Sequence, residues 1–137
     1  MADNKLDVHV VTPEREVWTG EADMVVAQSV EGQLGVLPGH APLLALLDVG
    51  PLRIKTGGGD ELRAVVEGGF LHVAFDRVDV LAEFALQEGE IDVAAERSRR
   101  DDLERRLSEA DAEDREELRV ELARATARLR FVESEGS

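Results

Sequence analysis

Apolar and polar residues alternate through the first two-thirds of the chain and then change period. Leu6, Val8 and Val10 fall on one side of an extended segment, with Asp7 and His9 on the other. Leu52 and Ile54 alternate with Arg53 and Lys55, and Leu62, Ala64 and Val66 with Arg63 and Glu67. Between these runs, Gly57-Gly58-Gly59-Asp60 predicts a hairpin connection slightly longer than the two-residue minimum. Gly68-Gly69 predicts the opening of a further strand, FLHVAF, which Asp76-Arg77 turns into VDVLAE. Strands of roughly five to eight residues separated by Gly, Pro and Asp predict a β-sandwich or barrel. A βαβ rhythm is excluded, because no helical pattern precedes residue 90.

Beyond that point the spacing is helical. Leu118, Leu122, Ala125, Leu129 and Val132 step by four, three, four and three, a narrow apolar seam. Leu103, Leu107 and Ala110 continue it on a preceding helix, where the equivalent positions Glu96 and Arg100 are charged. Asp92 is the expected N-cap and residues 109–114 the expected turn. Glu96/Arg100, Asp101/Arg105 and Asp102/Arg106 are spaced as i,i+4 pairs. The expectation is an antiparallel hairpin with arms of about 25 and 30 Å. Its few leucines predict that it docks on the sandwich or on a partner. Glycine and proline place the boundary: 11 of 12 glycines lie at or before Gly89, and all four prolines lie at or before Pro51. The predicted domains are residues 1–89, a sandwich, and residues 90–137, a helical hairpin.

Charge narrows the function classes. Of 137 residues, 30 are acidic and 16 basic, a net charge of −14 that repels nucleic acid and anionic lipid. Residues 1–89 carry −9 of this and residues 90–137 carry −5. There is no cysteine, which excludes disulfides, thiolate catalysis and Fe–S clusters. No apolar run reaches the ~20 residues of a membrane span, and the first residues lack a signal-peptide pattern. His9, His40 and His72 are dispersed without metal-ligand spacing. No nucleophile motif or P-loop occurs, and carboxylates are too abundant for any one pair to stand out. No catalytic residue and no metal site are predicted.

One segment departs from ordinary strand-and-turn sequence. Glu31-Gly32-Gln33-Leu34-Gly35-Val36-Leu37-Pro38-Gly39-His40-Ala41-Pro42-Leu43 sets three glycines and two prolines among apolar residues. The apolar run from Ala41 to Leu47 follows at once, and is expected either inside the sandwich or beneath another subunit. GQLGVLPGHAPLL, with VEGGFLHV and VLAEFALQEGEID downstream, resembles the epsilon subunits of F-type ATP synthases over essentially the whole chain.

That resemblance implies a ten-stranded antiparallel β-sandwich followed by an antiparallel two-helix hairpin. It implies a non-catalytic rotor subunit of the central stalk of a proton-translocating complex, peripheral on the cytoplasmic side of a bacterial cell membrane. Implied partners are the γ subunit, the membrane c-ring and, through the C-terminal helices, the α/β catalytic hexamer; no lipid insertion is expected. Glu31, Gly32, Gln33, Leu34 and Gly35 would face the c-ring, and His40 would lie near γ. Many bacterial members use the hairpin as a switch, permissive when folded on the sandwich and restraining ATP hydrolysis when extended along γ. Some bind ATP through a pattern I/L-D-x-x-R-A and second-helix arginines. Ile91-Asp92 matches its start, and Arg124 and Arg128 match the arginines. Ala95 and Glu96 stand where Arg and Ala would be, so one phosphate-binding cation is replaced and a carboxylate added. No cofactor is expected, and ATP as a regulatory ligand is disfavoured. The competing readings are a free-standing sandwich module with a dimerising hairpin and a hydrolase built on dispersed carboxylates.

Overall fold

A computed structural model describes residues 4–135. The chain divides into two compact units, one ending at Glu88 and the other beginning at Gly89. The first holds eight strands: β1 (Leu6–Val11), β2 (Glu16–Ala22), β3 (Met24–Ser29), β4 (Gly32–Val36), β5 (Leu43–Leu46), β6 (Gly50–Gly57), β7 (Asp60–Ala74) and β8 (Arg77–Gln87). They hydrogen-bond in the order β2-β1-β8-β7-β6-β3-β4, with β5 added on β7.

The long strand β7 organises this unit. Its first half pairs with β6, from Gly50↔Val66 to Gly57↔Asp60, and its second half with β5, from Leu43↔Val73 to Leu46↔Phe70. Between the halves lie Gly68 and Gly69, with φ of 76° and 108°. At Gly69 a Cβ would stand 2.1 Å from the Leu81 carbonyl oxygen, so only glycine allows β8 to follow β7 this closely through the bend. The strand thereby passes from one layer to the other. Ten separate strands were expected and eight form among the described residues. The glycine pair bends β7 without ending it, and β8 stays in register along both halves.

Nor is the sheet wholly antiparallel. β1 runs parallel to β8, from Asp7↔Arg77 to Val11↔Leu81. No tight turn links these two strands, so nothing local imposes the antiparallel direction. Two turns also differ from expectation. Gly58-Gly59 alone joins β6 to β7, a two-residue connection with φ of 62° and 89°. The β7–β8 turn is Phe75-Asp76, one residue earlier than expected, with φ of 52° and 61°.

The inner faces close on one core that draws on all strands but β5. Leu6, Val8, Val10, Val25, Ile54, Leu52, Leu71, Val73, Val78 and Val80 are almost completely buried. Their alternation is the period-2 pattern of the sequence made physical. Trp18, Leu34, Leu43 and Leu62 pack partly against it.

A 3₁₀ turn, Glu88–Glu90, spans the boundary between the units. In the second unit α1 (Val93–Glu109) and α2 (Ala112–Glu135) form the hairpin. The Asp92 side chain accepts from the Ala95 amide at 3.1 Å and caps α1. The turn is shorter than the expected 109–114, being only Ala110-Asp111: the Asp111 carboxylate accepts from the Asp114 amide at 3.4 Å and starts α2 early. At ~1.5 Å per residue the arms are about 26 and 36 Å long. Leu103, Leu118 and Ala125 are its buried cluster, with Leu107, Ala110 and Leu122 packed against them.

Candidate functional site

The segment Glu31–Gly35 forms the β3–β4 turn and most of β4. Ser29 shapes the turn: its hydroxyl donates to the Gly32 carbonyl at 2.7 Å and accepts from the Glu31 amide at 3.2 Å. Gly32 takes φ 125°, which a side chain would oppose. Strand alternation then exposes Glu31, Gln33 and Gly35 and leaves Gly32 half-buried, while Leu34 leans on the core. The segment thus presents a polar edge on an apolar footing. Ser29, which no sequence pattern singled out, holds it.

His40 lies past the other end of β4, which is roughly 14 Å long at ~3.4 Å per residue. Its loop is tied down at three points. The His40 amide donates to the Leu37 carbonyl at 3.1 Å, and its Nδ1 lies 2.7 Å from the Ala41 carbonyl. The Gly39 amide donates to the Asp76 carboxylate at 2.7 Å, which joins this loop to the β7–β8 turn. Asp76 is thus more than a turn residue, because its side chain also fixes the loop carrying His40.

The apolar run after His40 divides between core and surface. Leu47 is buried and Leu43 packs on the core, whereas Leu44 and Leu46 remain 65% and 51% exposed. Leu46 is paired across the ladder with Phe70, and Phe70 with Leu81; these last two are 46% and 48% exposed. Cross-strand partners lie ~4.5–5.5 Å apart, so Leu46, Phe70 and Leu81 form an apolar row over β5, β7 and β8, with Leu44 beside it. Val30 joins its end, its amide donating to the Leu46 carbonyl at 3.0 Å.

The residues considered for nucleotide lie on the hairpin. Asp92 is engaged as the cap of α1. Arg128 donates from Nη1 to Glu96 Oε1 at 3.0 Å, so the expected Glu96/Arg100 pair within α1 does not form. Arg100 turns instead to Asp101 and Glu104. Of the other expected pairs, Asp102/Arg106 stands at 3.8 Å, and Arg105 turns to Asp102 and Glu109. Arg124 is half-buried one turn before Arg128. Among the described residues no group of three metal-ligating side chains gathers, and no helix is long and apolar enough to cross a membrane.

Residues 5–95 match the family described as ATP synthase, Delta/Epsilon chain, beta-sandwich domain. This chain belongs to the epsilon-chain family of F-type ATP synthases. The ATP synthase epsilon chain of Thermobifida fusca is 47% identical over 135 residues, covering 96% of this chain and 94% of that one. That of Brevibacillus brevis is 46% identical over 110 residues, covering 80% and 83%. That of Streptomyces avermitilis is 43% identical over 124 residues, covering 90% and 98%. The epsilon-chain fold seen here is similar to a chain in the cryo-EM structure of the Euglena gracilis mitochondrial ATP synthase OSCP/F1/c-ring. The TM-score is 0.81, over 98% of this chain and 83% of that one, at 20% identity. Within this epsilon chain, the built surfaces are the polar β3–β4 turn, the loop of His40 and the apolar row over β5, β7 and β8.

Proposed function

We propose that this chain is a non-catalytic rotor subunit whose sandwich couples the γ subunit to the c-ring and whose hairpin restrains ATP hydrolysis. The observation that carries the reading is the apolar row Leu46, Phe70 and Leu81 with Leu44, on a protein otherwise rich in charge. A lone exposed leucine is ordinary, but a continuous row across three strands calls for a cover. Strand β5 leads from the loop of His40 to the row, and we assign both to γ. Glu31 and Gln33, on their stiffened turn beyond the other end of β4, suit the polar surface of the c-ring, with Gly32, Leu34 and Gly35 shaping the segment. The α/β hexamer would meet the C-terminal helices. The subunit would sit peripherally on the cytoplasmic side of a bacterial membrane and serve proton-driven synthesis. Arg128 is held by Glu96, which supports regulation without bound ATP.

Phe70→Glu tests the γ assignment. Its side chain faces outward, so the isolated subunit should keep its fold, while recovery of γ with it from solubilised membranes should fall at least about tenfold, as for loss of an interface anchor. Undiminished recovery would refute the assignment. For the c-ring, Gln33→Cys should crosslink under oxidation to a cysteine on a c-subunit polar loop. Truncation after Gly89 should leave synthesis in membrane vesicles and equal or raise ATP hydrolysis; lower hydrolysis by an assembled complex would exclude the restraining role.

A further inference from the structure

The mating surface of the hairpin changes character along its length. Residues 96, 100, 103 and 107 recur at heptad-like spacing on one side of α1, and its C-cap Ala110 follows in the same spacing. Near the turn this side is apolar, where Leu103, Leu107 and Ala110 meet Leu118, Leu122 and Ala125. Toward the other end α1 presents Glu96 and Arg100, although Leu129 and Phe131 of α2 are buried at that level of the sequence. Glu96 and Arg128 meet across 32 positions of sequence, their side chains 14% and 12% exposed. The neighbouring inter-helix pair, Arg99–Glu121, is longer at 3.8 Å and its side chains are 51% and 35% exposed. Exposed pairs of that kind contribute little. A sheltered pair differs, because each charge gives up water and only the partner charge compensates for that loss.

The same pair discriminates between registers. The seam of α2 repeats small and large apolar residues, so Leu118, Ala125 and Val132, or Leu122 and Leu129, exchange places when α2 slides by one heptad. The seam stays apolar in either slide, so its polarity does not choose between these registers, and only the fit of large and small side chains does. Charge separates them strongly. A slide of seven residues brings the position of Glu121 or of Glu135 to Glu96 in place of Arg128. Either substitution sets carboxylate against carboxylate at a sheltered position.

We propose that the Glu96–Arg128 ion pair is a built-in fastener that closes the free ends of the hairpin in one register and needs no bound ligand to do so. The proposal does not rest on the subunit's place in the rotor. The absence of cysteine allows a direct test in the full chain, spin-labelled at Ser98→Cys and Arg130→Cys, both exposed, in nucleotide-free buffer. The unaltered pair should give one narrow inter-label distance. Glu96→Arg sets two cations together and should abolish that narrow distance, while labels at Ser108→Cys and Glu116→Cys near the turn should keep theirs. The exchange Glu96→Arg with Arg128→Glu should restore the free-end distance. Should Glu96→Arg fail to fold, Glu96→Gln is read in the same way and should broaden the free-end distribution. An unchanged distance in the single variants, or an exchange variant as broad as the single, would overturn the proposal.

Discussion

The sandwich and the hairpin solve the problem of cohesion differently. The sandwich buries an unbroken apolar core fed by seven of its strands, with ten large side chains almost fully hidden. The hairpin buries five apolar residues, Leu103, Leu118, Ala125, Leu129 and Phe131, only three of which form a cluster, and adds an ion pair to its seam. Burying a leucine contributes ~1.5–3 kcal/mol, whereas ordering each residue costs ~1–2 kcal/mol. The sandwich meets that cost by long-range packing. The hairpin lies near balance, so single side chains decide its state. An element poised in this way is suited to conditional behaviour, and one packed like the sandwich is suited to transmitting force.

The largest expected effect breaks the sandwich. Gly69→Ala places a methyl group against the Leu81 carbonyl at a φ of 108° and should cost about 4 kcal/mol or more. Denaturant unfolding followed by Trp18, the one tryptophan and partly packed on the core, would measure it. A stability loss below about 1 kcal/mol would mean that β7 and β8 can separate at the bend without consequence.

That bend marks where the sequence was legible and where it was not. The period-2 runs identified the strands around Leu52, Leu62 and Val80, but on the Leu62 run they put Glu67 on the polar side, where it and Val65 are in fact buried. Gly68-Gly69 announced a special backbone, but glycine is equally suited to ending a strand and to bending one. The decision rests on the approach of β8, which no local pattern contains. The parallel pairing of β1 with β8 is non-local for the same reason. In the hairpin, the cap at Asp92 and the seam around Leu103 were legible because both are local. Glu96 was assigned to Arg100 by the i,i+4 rule, which sees only one helix. Its partner is in the other. At the candidate docking surfaces, the polar turn was visible as a motif. Ser29, Asp76 and the row through Phe70 became visible only once strands were placed side by side.

A second prediction sharpens the contrast between the units. Leu103→Ala removes the buried leucine of α1 and should cost about 2–5 kcal/mol. For the hairpin that exceeds the available margin, so the helical circular-dichroism signal should collapse while Trp18 emission stays native. Simultaneous loss of both signals would show that the two units unfold as one.

The smallest effect concerns acid. Glu61 is held below the ordinary carboxylate range chiefly by its hydrogen bond from Arg53, at 3.0 and 3.1 Å, with Arg63 adding to it. A carboxyl lowered in the folded chain adds stability that is complete above its unfolded value of about 4.3 and is lost as pH falls through the folded value. Glu61→Gln should therefore lower stability at neutral pH by less than about 1 kcal/mol and flatten the acid side of the profile, the two forms converging as pH falls through the folded value of Glu61. Denaturant titrations of both forms at acidic and neutral pH would show it. An equal acid slope in the two forms would remove Glu61 from the account.

The parallel pairing of β1 with β8 also has a consequence in time. As the chain leaves the ribosome, β1 and β2 can form their hairpin early, yet one edge of β1 stays open until Arg77–Leu81 has been made. At ~5–20 residues per second that interval lasts several seconds. An open, apolar strand edge is a template for wrong partners throughout. The sandwich therefore closes by a single late stitch, drawn between its first strand and its last, just before the hairpin begins to emerge.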